Sequence, residues 1–230
     1  MINTVSIDAQ GGKMELVLGL PEGKGPFPTL VVAHHRGGLD DFTKKVVERL
    51  SAHGFIAAAP HFYHRRPAGE DTGESMKFLD DDEIIADIKT TTAHLQSLAQ
   101  AKRGAEGMIG HCMGGRHSFL GAAMHPFKAA VMLYGGNILA PRPNGKPAAI
   151  ARAAGINCPL LGFFGKDDKN PSPADMKAID AELTRLGKKH EFHAYDGAGH
   201  AFQNFNDERY RETASEDAWR RFLAFFGEKL

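Results

Sequence analysis

The chain has 230 residues, enough to bury one sizeable hydrophobic core. Its 28 Lys+Arg balance 28 Asp+Glu, so no basic field draws nucleic acid or an acidic membrane surface. No apolar run approaches the ~18 residues of a membrane span, and the opening MINTVSIDAQGGK lacks the charged and apolar regions of a leader. Two cysteines, Cys112 and Cys158, are too few for a disulfide framework. The expectation is a cytoplasmic protein with no nucleic-acid and no membrane partner.

In chain order, residues 4–9 and 13–20 flank a Gly-Gly turn and predict an antiparallel hairpin. The β-branched run TLVVAHH (29–35) predicts a strand buried on both faces. Residues 40–53 carry Phe42, Val46, Val47 and Leu50 at helical spacing, with Gly54 as the stop. FIAAAP (55–60) is the next strand, and 61–79 a long irregular loop. Residues 80–101 predict a helix with an acidic first turn and an isoleucine–leucine stripe. The strand EGMIGH (106–111) follows, then a helix from about Met113, a strand at 129–136 and a second long loop at 137–157. A strand at 159–165, a helix at 173–187, a strand at 190–196 and a final helix at 207–229 complete the reading. Alternating strands and helices predict a single α/β domain over 1–230, with a mostly parallel central sheet and helices on both faces. Loops 61–79 and 137–157 are expected to roof the active site.

In such sheets ligands bind beyond the carboxyl ends of the strands. Those ends carry His34, His35 and Arg36, then His61 and His64, then Cys112, Tyr134, the pair Asp167–Asp168, and finally His200. Nucleophile, acid and histidine in that order match the order of α/β-hydrolases. A thiol attacks as thiolate, an imidazole takes its proton, and a carboxylate fixes the imidazole tautomer. The segment GHCMGG puts Cys112 between glycines and just before a helix start, whose positive dipole end lowers a thiol pKa. The backbone N–H groups of Met113 and Arg36 are the natural pair to hold an oxyanion. The four histidines His34, His35, His61 and His64 lack any metal-ligand spacing such as H-E-x-x-H, so no metal and no cofactor are expected.

GHCMGG after one strand, FFGKDD after a later one and YDGAGHAF near the C-terminus together resemble the dienelactone hydrolase (carboxymethylenebutenolidase) family. The resemblance implies an α/β-hydrolase fold and a Cys-His-Asp triad cleaving an ester or lactone through a thioester. On the matching motifs it assigns Cys112 as nucleophile, His200 as base and Asp168 as the orienting acid. Asp168 is preferred to Asp167 because the family places the acid three residues after the strand-end glycine, here Gly165. The family's Glu beside the first central strand, which holds the resting thiol, is replaced by His35, expected to act at the sulfur or the substrate. The Arg that meets the substrate carboxylate four residues after the triad His is replaced by Asn204. Arg36, Arg65 or Arg66 could take over that anion contact, and Tyr134 could border the pocket. The substrate-contact candidates are therefore His35, Tyr134, Asn204 and Arg65. The expected partner is a small-molecule ester or lactone, and the chain a monomer or homodimer. Two alternatives remain: a related thiol hydrolase of other activated esters such as phosphotriesters, or a non-catalytic binding protein or redox sensor using Cys112.

Overall fold

A computed structural model describes residues 2–142 and 145–230. Eight strands form one sheet: β1 Ile2–Ala9, β2 Gly12–Gly19, β3 Phe27–Ala33, β4 Ile56–Pro60, β5 Ala101–His111, β6 Ala129–Leu133, β7 Leu160–Gly165 and β8 His190–Tyr195. Their order across the sheet is β1-β2-β4-β3-β5-β6-β7-β8. The hairpin β1–β2 is antiparallel, β2 also runs antiparallel to β4, and all pairs from β4 to β8 are parallel. This is the mostly parallel α/β architecture, with an antiparallel hairpin at one edge, read from the sequence.

The helices are α1 Asp41–Ala52, α2 Thr72–Lys77, α3 Asp81–Ser97, α4 Met113–Met124, α5 Pro173–Arg185 and α6 Glu212–Lys229. Side chains at the amino ends set several starts: Asp40 accepts from Thr43 N–H, Asp80 from Asp82 and Glu83 N–H, and Ser172 with Asp175 forms a reciprocal capping box. Alternate residues of β3 feed two apolar clusters. Val31 and Ala33 pack with Ile84, Ile88 and Phe119 on one side of the sheet; Leu30 and Val32 pack with Val46, Leu50, Trp219 and Phe222 on the other. The period-2 alternation of a strand explains why an unbroken apolar run is needed here.

Several boundaries differ from the sequence reading. Loop 61–79 contains α2, a six-residue helix capped by Asp71, which is too short to show an apolar stripe. The second loop carries a 3-10 helix, Ala149–Gly155; its residues 143–144 lie outside the described residues. The strand expected at 129–136 ends at Leu133, because Tyr134 takes a left-handed turn with φ +39°. β5 begins five residues earlier than 106, the helix expected over 80–101 ends at Ser97, and the last helix starts at Glu212.

Candidate active site

β5 lies between β3 and β6, so its carboxyl end opens onto the middle of the sheet edge. Cys112 follows it with φ +56° and ψ −120°, a conformation unfavourable for a residue with a side chain. The turn persists because its neighbours have none. A Cβ on Gly110 would stand 1.9 Å from Gly114 O, and one on Gly114 would stand 2.0 Å from Ala33 O. Leu133 O accepts from Cys112 N–H at 3.0 Å and ties the turn to β6. α4 then starts with no side-chain cap, and the N–H of its first residue, Met113, faces the sulfur.

His200 and Asp168 arrive from the loops after β8 and β7. His200 Nε2 lies 2.9 Å from Cys112 Sγ, and His200 Nδ1 lies 2.9 Å from Asp168 Oδ2. Asp168 is 6% exposed, and its other oxygen accepts from Asn170 N–H at 2.9 Å. Asp167, by contrast, is exposed. Of the two adjacent acids, only Asp168 meets the imidazole. Burial opposes charge on both reacting groups, yet their mutual contact wins. His200 is pushed up to about 10, against burial, by its hydrogen bonds to Asp168 and Cys112. Burial likewise raises the Cys112 thiol, but the His200 bond and charge, with the Met113 and Arg36 N–H groups, bring it below its ordinary value. Both shifts act in the direction of a thiolate beside an imidazolium. The two backbone donors named from the sequence converge on the sulfur.

Residues 14–230 match the family model described as the dienelactone hydrolase family. The chain belongs to the dienelactone hydrolase family. That family comprises hydrolases with the α/β-hydrolase fold. A candidate carboxymethylenebutenolidase of Synechocystis sp. is 31% identical over 98% of this chain and 96% of its own length. The crystal structure of a candidate dienelactone hydrolase from Klebsiella pneumoniae superposes with a TM-score of 0.91 at 26% identity, over 99% of this chain and 98% of that one. A dienelactone hydrolase-like promiscuous phosphotriesterase from metagenomic libraries shares the fold, with a TM-score of 0.83 at 22% identity over 100% and 98% of the two chains.

Against that family frame, four side chains expected at the substrate stand elsewhere. His35, in the place of the family Glu, turns its Nε2 to Asp40 Oδ2 at 2.7 Å and its ring edge to Phe42. Asp40 caps α1, so the loop that carries Arg36 claims this imidazole for itself. Arg65 is held by the buried Asp87 through two hydrogen bonds of 2.7 and 2.8 Å. Its neighbour Arg66 pairs with Glu70. Asn204 accepts from Asn206 N–H within its own turn. Tyr134 is 1% exposed, and its ring packs edge-on against His200 at 5.3 Å and Phe202 at 5.1 Å. It backs the imidazole from the core side rather than facing substrate. The rings of His34 and His61 stand 6.4 Å apart, but His34 bonds to backbone and His64 to Asp87, and no group of His, Cys, Asp or Glu that could hold a metal is found among the described residues.

The sulfur opens into a cavity of about 590 Å³ whose wall includes Arg36, Cys112, Met113, Asp168 and His200. Met76, Lys77 and Leu79 reach it from the first long loop, and Asn137, Pro141 and Arg142 from the second. Sequence reasoning missed Arg116, His117 and Lys169, which also line it. Arg116 is buried and paired bidentately with Asp81 at 2.6 and 2.8 Å. The only signal for it was its place one turn into the helix after Cys112. Arg36 and Lys169 have no carboxylate within ion-pairing distance among the described residues. The cavity is apolar at Met76, Leu79 and Met113 and cationic at Arg36, Arg142 and Lys169.

Proposed function

We propose that this chain hydrolyses a carboxylic ester or lactone with Cys112 as nucleophile, through a thioester. One observation carries the reading: Asp168, His200 and Cys112 form a continuous hydrogen-bonded array whose sulfur also receives two backbone N–H groups at the floor of the cavity. The thiolate attacks the carbonyl carbon, forming the S–C bond while the C=O electron pair moves onto oxygen. The Met113 and Arg36 N–H groups stabilise that oxyanion. Collapse breaks the C–O bond, and His200 gives its proton to the departing oxygen. Neutral His200 then takes a proton from water, whose hydroxide attacks the thioester. The second collapse releases the acid and restores the thiolate and imidazolium. Asp168 keeps the Nδ1 proton in place throughout. In a lactone the departing oxygen stays tethered, so one acyclic acid is the sole product.

His35 takes no part at the sulfur in this scheme. There the imidazolium and the two N–H groups are the partners of the thiolate, and His35 is taken up by Asp40. The unpaired cations Arg36 and Lys169 favour an ester bearing a negative charge over a neutral triester such as a phosphotriester. A panel of p-nitrophenyl esters, lactones and a phosphotriester, run on wild type and Cys112→Ala, tests the reading. Turnover of a carboxylic ester or lactone by wild type, abolished by Cys112→Ala and by iodoacetamide but not by a chelator, supports it. Turnover that survives Cys112→Ala contradicts it.

A further inference from the structure

The oxyanion hole needs the Arg36 N–H aimed at the reacting oxygen, and an isolated loop peptide holds no direction by itself. The neighbouring histidine supplies one. His34, at the end of β3, is 1% exposed and packed between the rings of Phe62 and Tyr63 at 5.0 and 5.1 Å. Phe62 N–H donates to its Nε2 at 3.2 Å. A backbone N–H can only donate, so Nε2 carries the lone pair and Nδ1 carries the proton. Nδ1–H therefore donates to His35 O at 2.7 Å. Gly38 N–H donates to the same oxygen at 3.1 Å.

His35 O and Arg36 N–H are the two ends of one planar peptide unit. Hydrogen bonds to the oxygen end pull electron density away from the nitrogen end and make its N–H a stronger donor. They also fix the plane of the peptide, and with it the direction of the N–H. We propose that His34 is a positioning residue for the oxyanion hole, holding and polarising the His35–Arg36 peptide so that the Arg36 N–H meets the developing oxyanion. Burial separately pushes the His34 imidazole down to about 3, which keeps it neutral near neutral pH, while its two hydrogen bonds select the tautomer. The Met113 N–H needs no such partner, because it sits at the first turn of α4 and has the helix dipole behind it. The inference rests on the reading of Cys112 as nucleophile.

Two amide variants separate the two ring nitrogens. His34→Asn places its NH2 near the Nδ1 position and can still donate to His35 O. His34→Gln reaches the Nε2 position and can accept from Phe62 N–H, but leaves His35 O without its side-chain donor. On a p-nitrophenyl ester, His34→Gln is expected to lose about tenfold or more in kcat with little change in KM, and His34→Asn to stay within about threefold of wild type. Alkylation of Cys112 by iodoacetamide forms no oxyanion and draws only on the thiolate that the Arg36 N–H helps to hold among several partners, so its rate is expected to change by less than about threefold in both. Equal kcat in the two variants overturns the inference, as does a parallel loss of alkylation, KM and Tm, which marks a structural role only. Turnover that survives Cys112→Ala sinks the nucleophile reading instead. Wild-type protein with 15N-labelled histidine decides the matter if the variants do not fold: the proton on His34 Nδ1 supports the proposal, and a proton on Nε2 contradicts it.

Discussion

Cys112 Sγ and His200 Nε2 lie 2.9 Å apart although the residues are 88 positions apart in the chain. The contact forms because β5 and β8 deliver both loops to the same edge of a parallel sheet. It sets the chemistry of the site. The raised imidazole, at about 10, and the lowered thiol both favour ionisation of the sulfur.

The pH profile follows from those two directions. The thiolate is lost when pH falls through the lowered Cys112 pKa, and the imidazolium is lost when pH rises through about 10. Activity is expected to rise at a pH below that at which a free thiol ionises and to fall on the alkaline side near 10, where His200 no longer protonates the departing oxygen. Stopped-flow ester hydrolysis across pH 5–11, on the order of one point per half unit, checks it. A rate that climbs through pH 9 as a free thiol ionises contradicts the ion pair.

The two cysteines should differ sharply toward iodoacetamide. Cys158 is buried, and burial pushes its thiol up to about 11. At neutral pH, limited alkylation followed by peptide mass analysis is expected to find the label on Cys112 at more than about a hundredfold excess. Comparable labelling of both refutes the activated thiol.

The neighbouring acids offer an internal control. Asp168→Asn keeps the shape but not the charge behind His200, and kcat is expected to drop about 10²- to 10⁴-fold. Asp167→Asn alters an exposed side chain, and activity should stay within about twofold. Steady-state kinetics on the two variants checks the choice; a larger loss from Asp167→Asn reverses it.

How much of this was legible in sequence differs by residue. Gly110, Gly114 and the order Cys112, Asp168, His200 could be read because each is bound to a strand end, and strand ends are fixed by short-range pattern. The choice of Asp168 over Asp167 came from family resemblance, and the burial of Asp168 agrees with it. His35, Arg65 and Tyr134 were misplaced because their directions depend on distant or conformational details. Asp87 lies 22 residues beyond Arg65, Asp40 reaches back to His35 from a helix cap, and a left-handed turn swings Tyr134 beneath His200. Arg116 and His117 sit in a helix buried on nearly every side, where no polar stripe separates a wall residue from a core residue.

The buried pair Arg116–Asp81 fastens α4 to the start of α3, with both side chains under 5% exposed. Removing one partner leaves an uncompensated buried charge, so Asp81→Asn is expected to destabilise the fold by about 3–5 kcal/mol. Urea denaturation at neutral pH measures this. A loss below about 1 kcal/mol would show that the ion pair can be broken without stranding its partner's charge.

The elbow itself admits no side chain at Gly114, whose Cβ would meet the Ala33 carbonyl at 2.0 Å. Gly114→Ala is expected to cost at least about 2 kcal/mol and to lower activity together with stability, since the displaced backbone carries the sulfur. Unchanged urea midpoint and kcat would contradict the tight packing of this turn.

The most direct test is to trap the acyl enzyme. Wild-type protein mixed with a p-nitrophenyl ester and quenched in acid within milliseconds to seconds should gain the mass of the acyl group on the peptide containing Cys112, and the adduct should decay as turnover proceeds. Cys112→Ala should show neither adduct nor turnover. An adduct on another residue, or turnover by Cys112→Ala, would contradict the thioester account.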